Sequence, residues 1–153
     1  MKKTFTWKDF LPFMKSQEIS YLSTINEQDV PETRAMLNLA NTANFPKLQK
    51  FLKTGTIYFT TNTSSSKMRH IAKNNNASVY FGDNRTFQGL LFTGEIEIVS
   101  SKKTKQDFWQ DGWTMYYPKG STDSEYQILK FTAEKYKYYD GKFEVFAGAI
   151  ALD

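Results

Sequence analysis

Apolar residues recur at Phe5, Trp7, Phe10, Leu11, Phe13 and Met14, a spacing that predicts a helix over residues 5–16 with Thr6 or Thr4 at its start. The period then shortens. Residues 19–26 (ISYLSTIN) are rich in β-branched and aromatic side chains and predict a strand. Asn26-Glu27-Gln28-Asp29 and Pro31 mark a turn, and residues 32–39 alternate, with Ala35, Leu37 and Leu39 on one face and Arg34, Met36 and Asn38 on the other. Together they read as a β-hairpin. Residues 41–46 read as a loop, and Phe45, Leu48, Phe51 and Leu52 as a short helical turn broken by Gly55.

Further strands are predicted over residues 56–62, 77–83 and 90–99, and a long strand or strand pair over 126–139. In the 90–99 segment, Thr93, Glu95 and Glu97 oppose Phe92, Ile96 and Ile98, the pattern of a half-exposed strand. Helices are predicted over residues 64–74, with Met68, Ile71 and Ala72 as the buried stripe, and over 103–110. From Gly141 onward no clear pattern emerges. Short strands with few helices argue for a mainly β (α+β) chain that forms a closed or partly closed barrel, not a doubly wound parallel sheet.

The length of 153 residues suits one domain spanning 1–153. Aromatic residues make up 16% of the chain, enough to supply a β-rich core, an interface, or a stacking surface for a planar ligand. The net charge of +4 favours anionic ligands without pointing to nucleic acid. The absence of cysteine excludes disulfides, thiolate metal sites and cysteine nucleophiles. No His/Asp/Glu cluster has metal-ligand spacing, so no metal site is expected. No apolar run approaches the ~20 residues of a membrane span, and the N-terminus lacks the apolar stretch of a secretory signal, so a cytoplasmic protein with no membrane partner is expected.

The chemistry concentrates where the strand Tyr58-Phe59-Thr60-Thr61-Asn62 runs through Thr63-Ser64-Ser65-Ser66 into a helix opened by Lys67. The first N–H groups of a helix lack internal partners and carry partial positive charge, so hydroxyls and a lysine beside them make a pocket for a phosphate. Serines here can equally serve as ordinary caps. That reading leaves a cation at the helix end where the dipole disfavours it. Arg34 is the second candidate: either an exposed strand residue or a guanidinium forked onto the same phosphate.

Thr24-Ile25, Pro31-Glu32-Thr33-Arg34-Ala35-Met36, Tyr58-Phe59-Thr60-Thr61-Asn62 and Ser65-Ser66-Lys67 resemble the pyridoxamine 5′-phosphate oxidase-like flavoproteins, in particular their general-stress-protein branch. Leu91-Phe92-Thr93-Gly94-Glu95-Ile96, Phe108-Trp109, Tyr117-Pro118-Lys119-Gly120 and Tyr138-Tyr139-Asp140-Gly141 extend the resemblance over roughly residues 17–141. It implies a six-stranded antiparallel Greek-key split β-barrel with flanking helices. It also implies a homodimer holding flavin mononucleotide (FMN) at its interface, and flavin-dependent oxidoreductase activity on a small molecule that the sequence does not specify. A flavin-binding or flavin-sensing stress protein without turnover is the alternative.

The resemblance assigns cofactor contacts to Arg34, Ala35, Met36 and Leu37, to Thr60 and Thr61 beside the flavin, to Ser66 and Lys67 at the phosphate, and to Gln88 from the partner chain. Tyr139 stands where many relatives have a flavin-contacting tryptophan. Relatives often carry arginine where Ser66 stands. Two departures argue against oxidation of pyridoxamine phosphate: Leu39 replaces a substrate-binding lysine, and residues 143–148 lack the arginine–histidine motif. No catalytic residue stands out. His70 reads as a surface or flavin-edge residue, for want of an acidic partner. Glu95 and Glu97 read as a solvated face. Trp109, Trp113, Tyr116 and Tyr117 read as core or interface packing, with a wall over the flavin as the second choice. A nucleic-acid-binding barrel is disfavoured by dispersed lysines and by the glutamates of the 90–99 strand.

Overall fold

A computed structural model describes residues 3–151; Met1-Lys2 and residues 152–153, included in the expected domain, lie outside the described residues. Helix α1 (Trp7–Ser16) opens at Thr6, whose backbone N–H and hydroxyl are both taken by the Asp9 carboxylate, at 2.7 and 3.0 Å. Strands β1 (Ile19–Ile25) and β2 (Pro31–Leu37) form the expected hairpin. Its turn is tied by Asn26, whose side-chain oxygen accepts the N–H groups of Gln28 and Val30. β2 ends two residues earlier than the alternation suggests. Asn38 is buried and its amide donates to the carbonyls of Met14 and Gln17, which pulls the chain out of the ladder.

Strand β3 (Thr56–Asn62) leads into α2 (Ser66–Lys73). Strands β4 (Asn76–Gly82) and β5 (Gly89–Val99), helix α3 (Lys102–Phe108) and strand β6 (Tyr126–Tyr139) complete the expected elements. Pairing is antiparallel throughout, in the order β2-β1-β4-β5-β6-β3, a curled half-barrel with flanking helices. The 126–139 segment is one strand of 14 residues. A short strand β7 (Val145–Ala149), in the tail that shows no pattern, pairs with the outer half of β6. Its small residues explain the missing signal: a Cβ on Gly148 would lie 2.9 Å from the Tyr136 ring, so closeness to β6 and not β propensity sets the composition.

Inside the curl, Leu22, Phe59, Val79, Phe81, Leu90, Phe92, Leu129 and Phe131 are fully buried, and α1 closes one end with Trp7, Phe10 and Met14. A second cluster gathers Leu39, Phe45, Leu48, Phe108, Trp113, Tyr117 and Tyr126. The aromatic segment from Trp109 to Tyr117 is therefore largely packing, except Tyr116, which is half exposed. Two burial expectations fail. Ala72 is exposed and His70 takes its place on the buried side of α2. Ile98 is exposed, because β5 outruns the region covered by the core at that end.

β5 and β6 shift register between Thr93 and Gly94, and a Cβ on Gly94 would meet the Thr132 carbonyl oxygen at 2.0 Å. Backbone cannot yield as a side-chain tip can. Gly94→Ala is expected to cost about 1–3 kcal/mol of stability, read from the urea midpoint; an unchanged midpoint would mean that the bulge has slack.

Candidate functional site

β2 and β3 are the two ends of the sheet path, so each has one edge with no strand on it, and the curl brings these edges into contact. Their outer backbone groups are free to meet a ligand. The two faces of β2 are divided as its alternation suggests, but the apolar face turns outward. Ala35 and Leu37 are exposed, whereas Arg34 and Met36 lie opposite Leu22 and Ser20 and are half buried. The exposed-strand reading of Arg34 therefore fails: the guanidinium points into the curl. Its Nη1 donates to the Thr24 hydroxyl at 2.7 Å and to the Leu22 carbonyl at 3.3 Å.

Lys67 reaches the same region from α2. Ser65 occupies the cap position but makes no side-chain capping bond. Its hydroxyl instead accepts from Lys67 Nζ at 2.7 Å, and the Thr61 hydroxyl accepts from the same ammonium at 2.7 Å. Ser64 is taken by Glu125, whose Oε2 accepts its hydroxyl at 2.7 Å and its N–H at 3.2 Å. The capping reading of the serines thus gives way to a turn that holds a lysine folded back over its own helix start. Ser66 is exposed, as the first residue of α2.

Burial lowers the Lys67 pKa, and the nearby Arg34 guanidinium lowers it further. Burial also lowers the Arg34 pKa, with Glu32 acting in the opposite direction. Two cations thus act on one another, and among the described residues Lys67 makes no ion pair with a carboxylate. Beside them runs a cleft of about 270 Å³, lined by Ala35, Met36 and Leu37 of β2, by Thr60, Thr61 and Asn62 of β3, and by Lys67, Tyr116 and Tyr117. Arg34 stands outside this lining and acts on the ammonium through space. Burial raises the pKa of the Tyr117 phenol, and a hydrogen bond with Thr60 works against that rise.

Gln88 and Tyr139 form a separate group. The Gln88 amide donates to the Tyr138 hydroxyl at 2.9 Å, and Tyr139 pairs with Gly89. Thr61 pairs with Gln127, twelve positions before Tyr139 on β6 and so roughly 40 Å along the strand at ~3.3 Å per residue. Neither residue can reach the cleft of its own chain.

His70 differs most from its sequence reading. It is 2% exposed, its Nδ1 lies 2.9 Å from the Thr24 hydroxyl, and its Nε2 lies 3.7 Å from Glu32 and 3.9 Å from Glu27. Acidic neighbours do exist, but they come from the hairpin some forty residues earlier, which local spacing could not show. Tyr116 and Tyr117, for which a wall over the flavin is the second choice in sequence, line the cleft, and so does Asn62, to which the sequence assigns no cofactor contact. Glu97 lies exposed, 4.0 Å from Lys130, as a solvated face should. Among the described residues, no group of three or more His, Asp or Glu side chains could hold a metal ion, and no helix is long and apolar enough to cross a membrane.

The family model for pyridoxamine 5′-phosphate oxidase-like proteins matches residues 10–152. Among solved structures, a Clostridium acetobutylicum protein related to general stress protein 26 of B. subtilis is 31% identical, with a TM-score of 0.76 over 94% of this chain and 96% of that one. A pyridoxamine 5′-phosphate oxidase-related, FMN-binding protein from Nostoc punctiforme shares 13% identity, with a TM-score of 0.64 over 98% of this chain and 100% of that one. A heme-binding protein from Mycobacterium smegmatis shares 10%, with a TM-score of 0.67 over 97% of this chain and 60% of that one. No curated protein matches the sequence.

A lysine whose pKa is lowered on folding subtracts from stability while it is charged, and the loss disappears as pH rises through its folded value. At pH 7, Lys67→Met should therefore unfold no more easily than the parent, with any advantage shrinking as pH rises toward 10.5. Thermal unfolding across that range checks it; a clear drop in Tm at pH 7 would show that the ammonium's two hydrogen bonds outweigh the repulsion.

Proposed function

Because the chain belongs to the pyridoxamine 5′-phosphate oxidase-like family, we propose that it binds FMN at the β2–β3 cleft, as a homodimer, and serves as a flavin-dependent oxidoreductase. One observation carries this reading: Lys67 lines a cleft with Arg34 near it, bonded only to the hydroxyls of Thr61 and Ser65 and, among the described residues, in no ion pair. A dianionic phosphate supplies the missing charge, and charge-assisted hydrogen bonds to it are the strong ones. The donor set fits a flavin phosphate better than heme. The sole histidine is buried against Thr24 and does not line the cleft, whereas Lys67 lines it with the Arg34 guanidinium behind.

In this reading Lys67 and Arg34 hold the phosphate, assisted by the unpaired N–H groups at the start of α2. The free edge of β2 at Ala35 and Leu37, on either side of Met36, offers main-chain donors and acceptors to the polar rim of the ring. Thr60, held by Tyr117, adds a hydroxyl at the cleft. Bound flavin supplies reversible hydride and electron transfer; the protein supplies orientation and exclusion of water. Pyridoxamine phosphate is not the proposed substrate. Leu39 is 1% exposed within the second core cluster, so that position offers nothing to a ligand, and residues 145–149 are engaged with β6. A flavin carrier without turnover differs in one measurable respect: its bound flavin is not reduced by NADH or NADPH.

A volume of about 270 Å³ is below the ~300–1,000 Å³ of typical small-molecule sites, which suits a half-site completed by a second chain. The outer sheet face next to Leu37 offers the surface for it. Ile19 opposes Leu37, Tyr21 opposes both Ala35 and Tyr80, and Ile19, Tyr21, Leu37 and Tyr80 are all about 40% exposed. An apolar patch of this kind marks an association surface. In this reading Gln88 and Tyr139, far along β6 from their own cleft, serve a partner's.

Purified protein should be yellow, with a flavin spectrum. Arg34→Ala and Lys67→Ala should each weaken FMN binding about tenfold to a hundredfold while leaving riboflavin, which lacks the phosphate, unaffected. Flavin fluorescence titration reads both, and equal affinities for FMN in parent and variants would refute the assignment. Ile19→Lys should shift sedimentation from dimer to monomer and weaken flavin binding with it. A variant that stays dimeric would move the interface elsewhere.

A further inference from the structure

His70 is not explained by cofactor binding alone. Its ring is buried, with Nδ1 at 2.9 Å from Thr24 Oγ1, and Thr24 is itself fully buried and accepts from Arg34 Nη1 at 2.7 Å. A guanidinium can only donate. The Thr24 oxygen must therefore present a lone pair to Arg34, and its single O–H is then free to point at His70. Among the described residues Nδ1 is the acceptor within reach of that O–H, which puts the imidazole proton on Nε2, facing Glu32 of β2 and Glu27 of the β1–β2 turn. The other charges around this ring are Arg69, paired with Glu27 at 3.2 Å; Lys73, which donates to the Glu27 carbonyl; Lys67, one turn earlier on α2; and Arg34 through Thr24. The row from carboxylates to imidazole to hydroxyl to guanidinium is polarised in one direction throughout.

We propose that His70 is a positioning residue for the phosphate site: by absorbing the Thr24 proton it fixes the polarity of that hydroxyl and so aims Arg34 at the anion. Without it, Thr24 is free to turn its proton toward Arg34, donor against donor, and the guanidinium loses its anchor. The inference rests on the FMN reading and adds to it a residue outside the cleft.

The test uses full-length protein, with FMN and riboflavin as probes. His70→Phe should lower FMN affinity about tenfold, with riboflavin affinity and far-UV circular dichroism unchanged. His70→Asn, whose amide oxygen reaches the Nδ1 position, should restore FMN affinity to within about twofold. Nitrogen-15 NMR of the unliganded parent should show the Nε2–H tautomer. Unchanged FMN affinity in His70→Phe, equal losses for FMN and riboflavin, or the Nδ1–H tautomer each overturn the inference. Should His70→Phe fail to fold, Thr24→Val removes the same link: an FMN-specific loss supports the proposal and full retention overturns it. If the parent itself binds no FMN, the flavin reading falls and takes this inference with it; if the parent binds and His70→Phe binds equally, only the inference falls.

Discussion

Two like charges held together in a half-buried place are the constraint around which this site is organised. Burial disfavours each cation alone, and each disfavours the other. The fold tolerates the pair by giving both ends neutral acceptors: the hydroxyls of Thr61 and Ser65 for the ammonium, the Thr24 hydroxyl and the Leu22 carbonyl for the guanidinium. Hydroxyls solvate a cation without neutralising it. The positive potential therefore survives in the folded chain and remains available to an incoming anion. A carboxylate in the same place would stabilise the empty protein and abolish the site.

The geometry behind this follows from an inside-out strand. β2 carries Arg34 inward beside Met36 and turns Ala35 and Leu37 outward, the reverse of what a barrel strand needs when its chain stands alone. The inversion makes sense if both faces are used, the inner one by a phosphate and the outer one by another copy of the sheet. The position of β2 at the end of the sheet path adds a third use, since its unpaired edge borders the cleft. One seven-residue strand thus borders the core, the cleft and an exposed apolar face at once, which explains why its sequence looks like a compromise.

Much of the fold was legible because most elements obey one local rule. The α1 stripe, the β1–β2 turn built on Asn26, and the 56–62 strand all show their periodicity in sequence. What escaped lies where a tertiary contact overrides the local pattern. Asn38 ends β2 by reaching back to Met14 and Gln17; β7 is made of small residues that fit against Tyr136; His70 is buried because of the hairpin it meets. At the site, residue types suggested a phosphate pocket where the serines meet Lys67, and Lys67 shares a cleft with Thr60 and Thr61, while Ser66 is exposed. The approach of Arg34 to Lys67 crosses from β2 to α2, and no spacing within either segment encodes it.

The two cations are also not equivalent, and the difference bears on how such a site works. Arg34 is tied at two donors and sits near Glu32, at one end of a hydrogen-bonded row that runs back through Thr24 and His70. Its direction is fixed before any ligand arrives, and a guanidinium's planar fork gains most from being fixed. Lys67, on a flexible stem, is held by two hydroxyls and, among the described residues, makes no ion pair. It can exchange those hydroxyls for a phosphate oxygen with little rearrangement. A rigid fork that sets the position of the anion, with a movable point charge that closes on it, confines the cost of preorganisation to one residue. The polar row behind Arg34 is the structural form that cost takes, and it accounts for a histidine buried beside Thr24 at the edge of the aromatic and aliphatic core cluster.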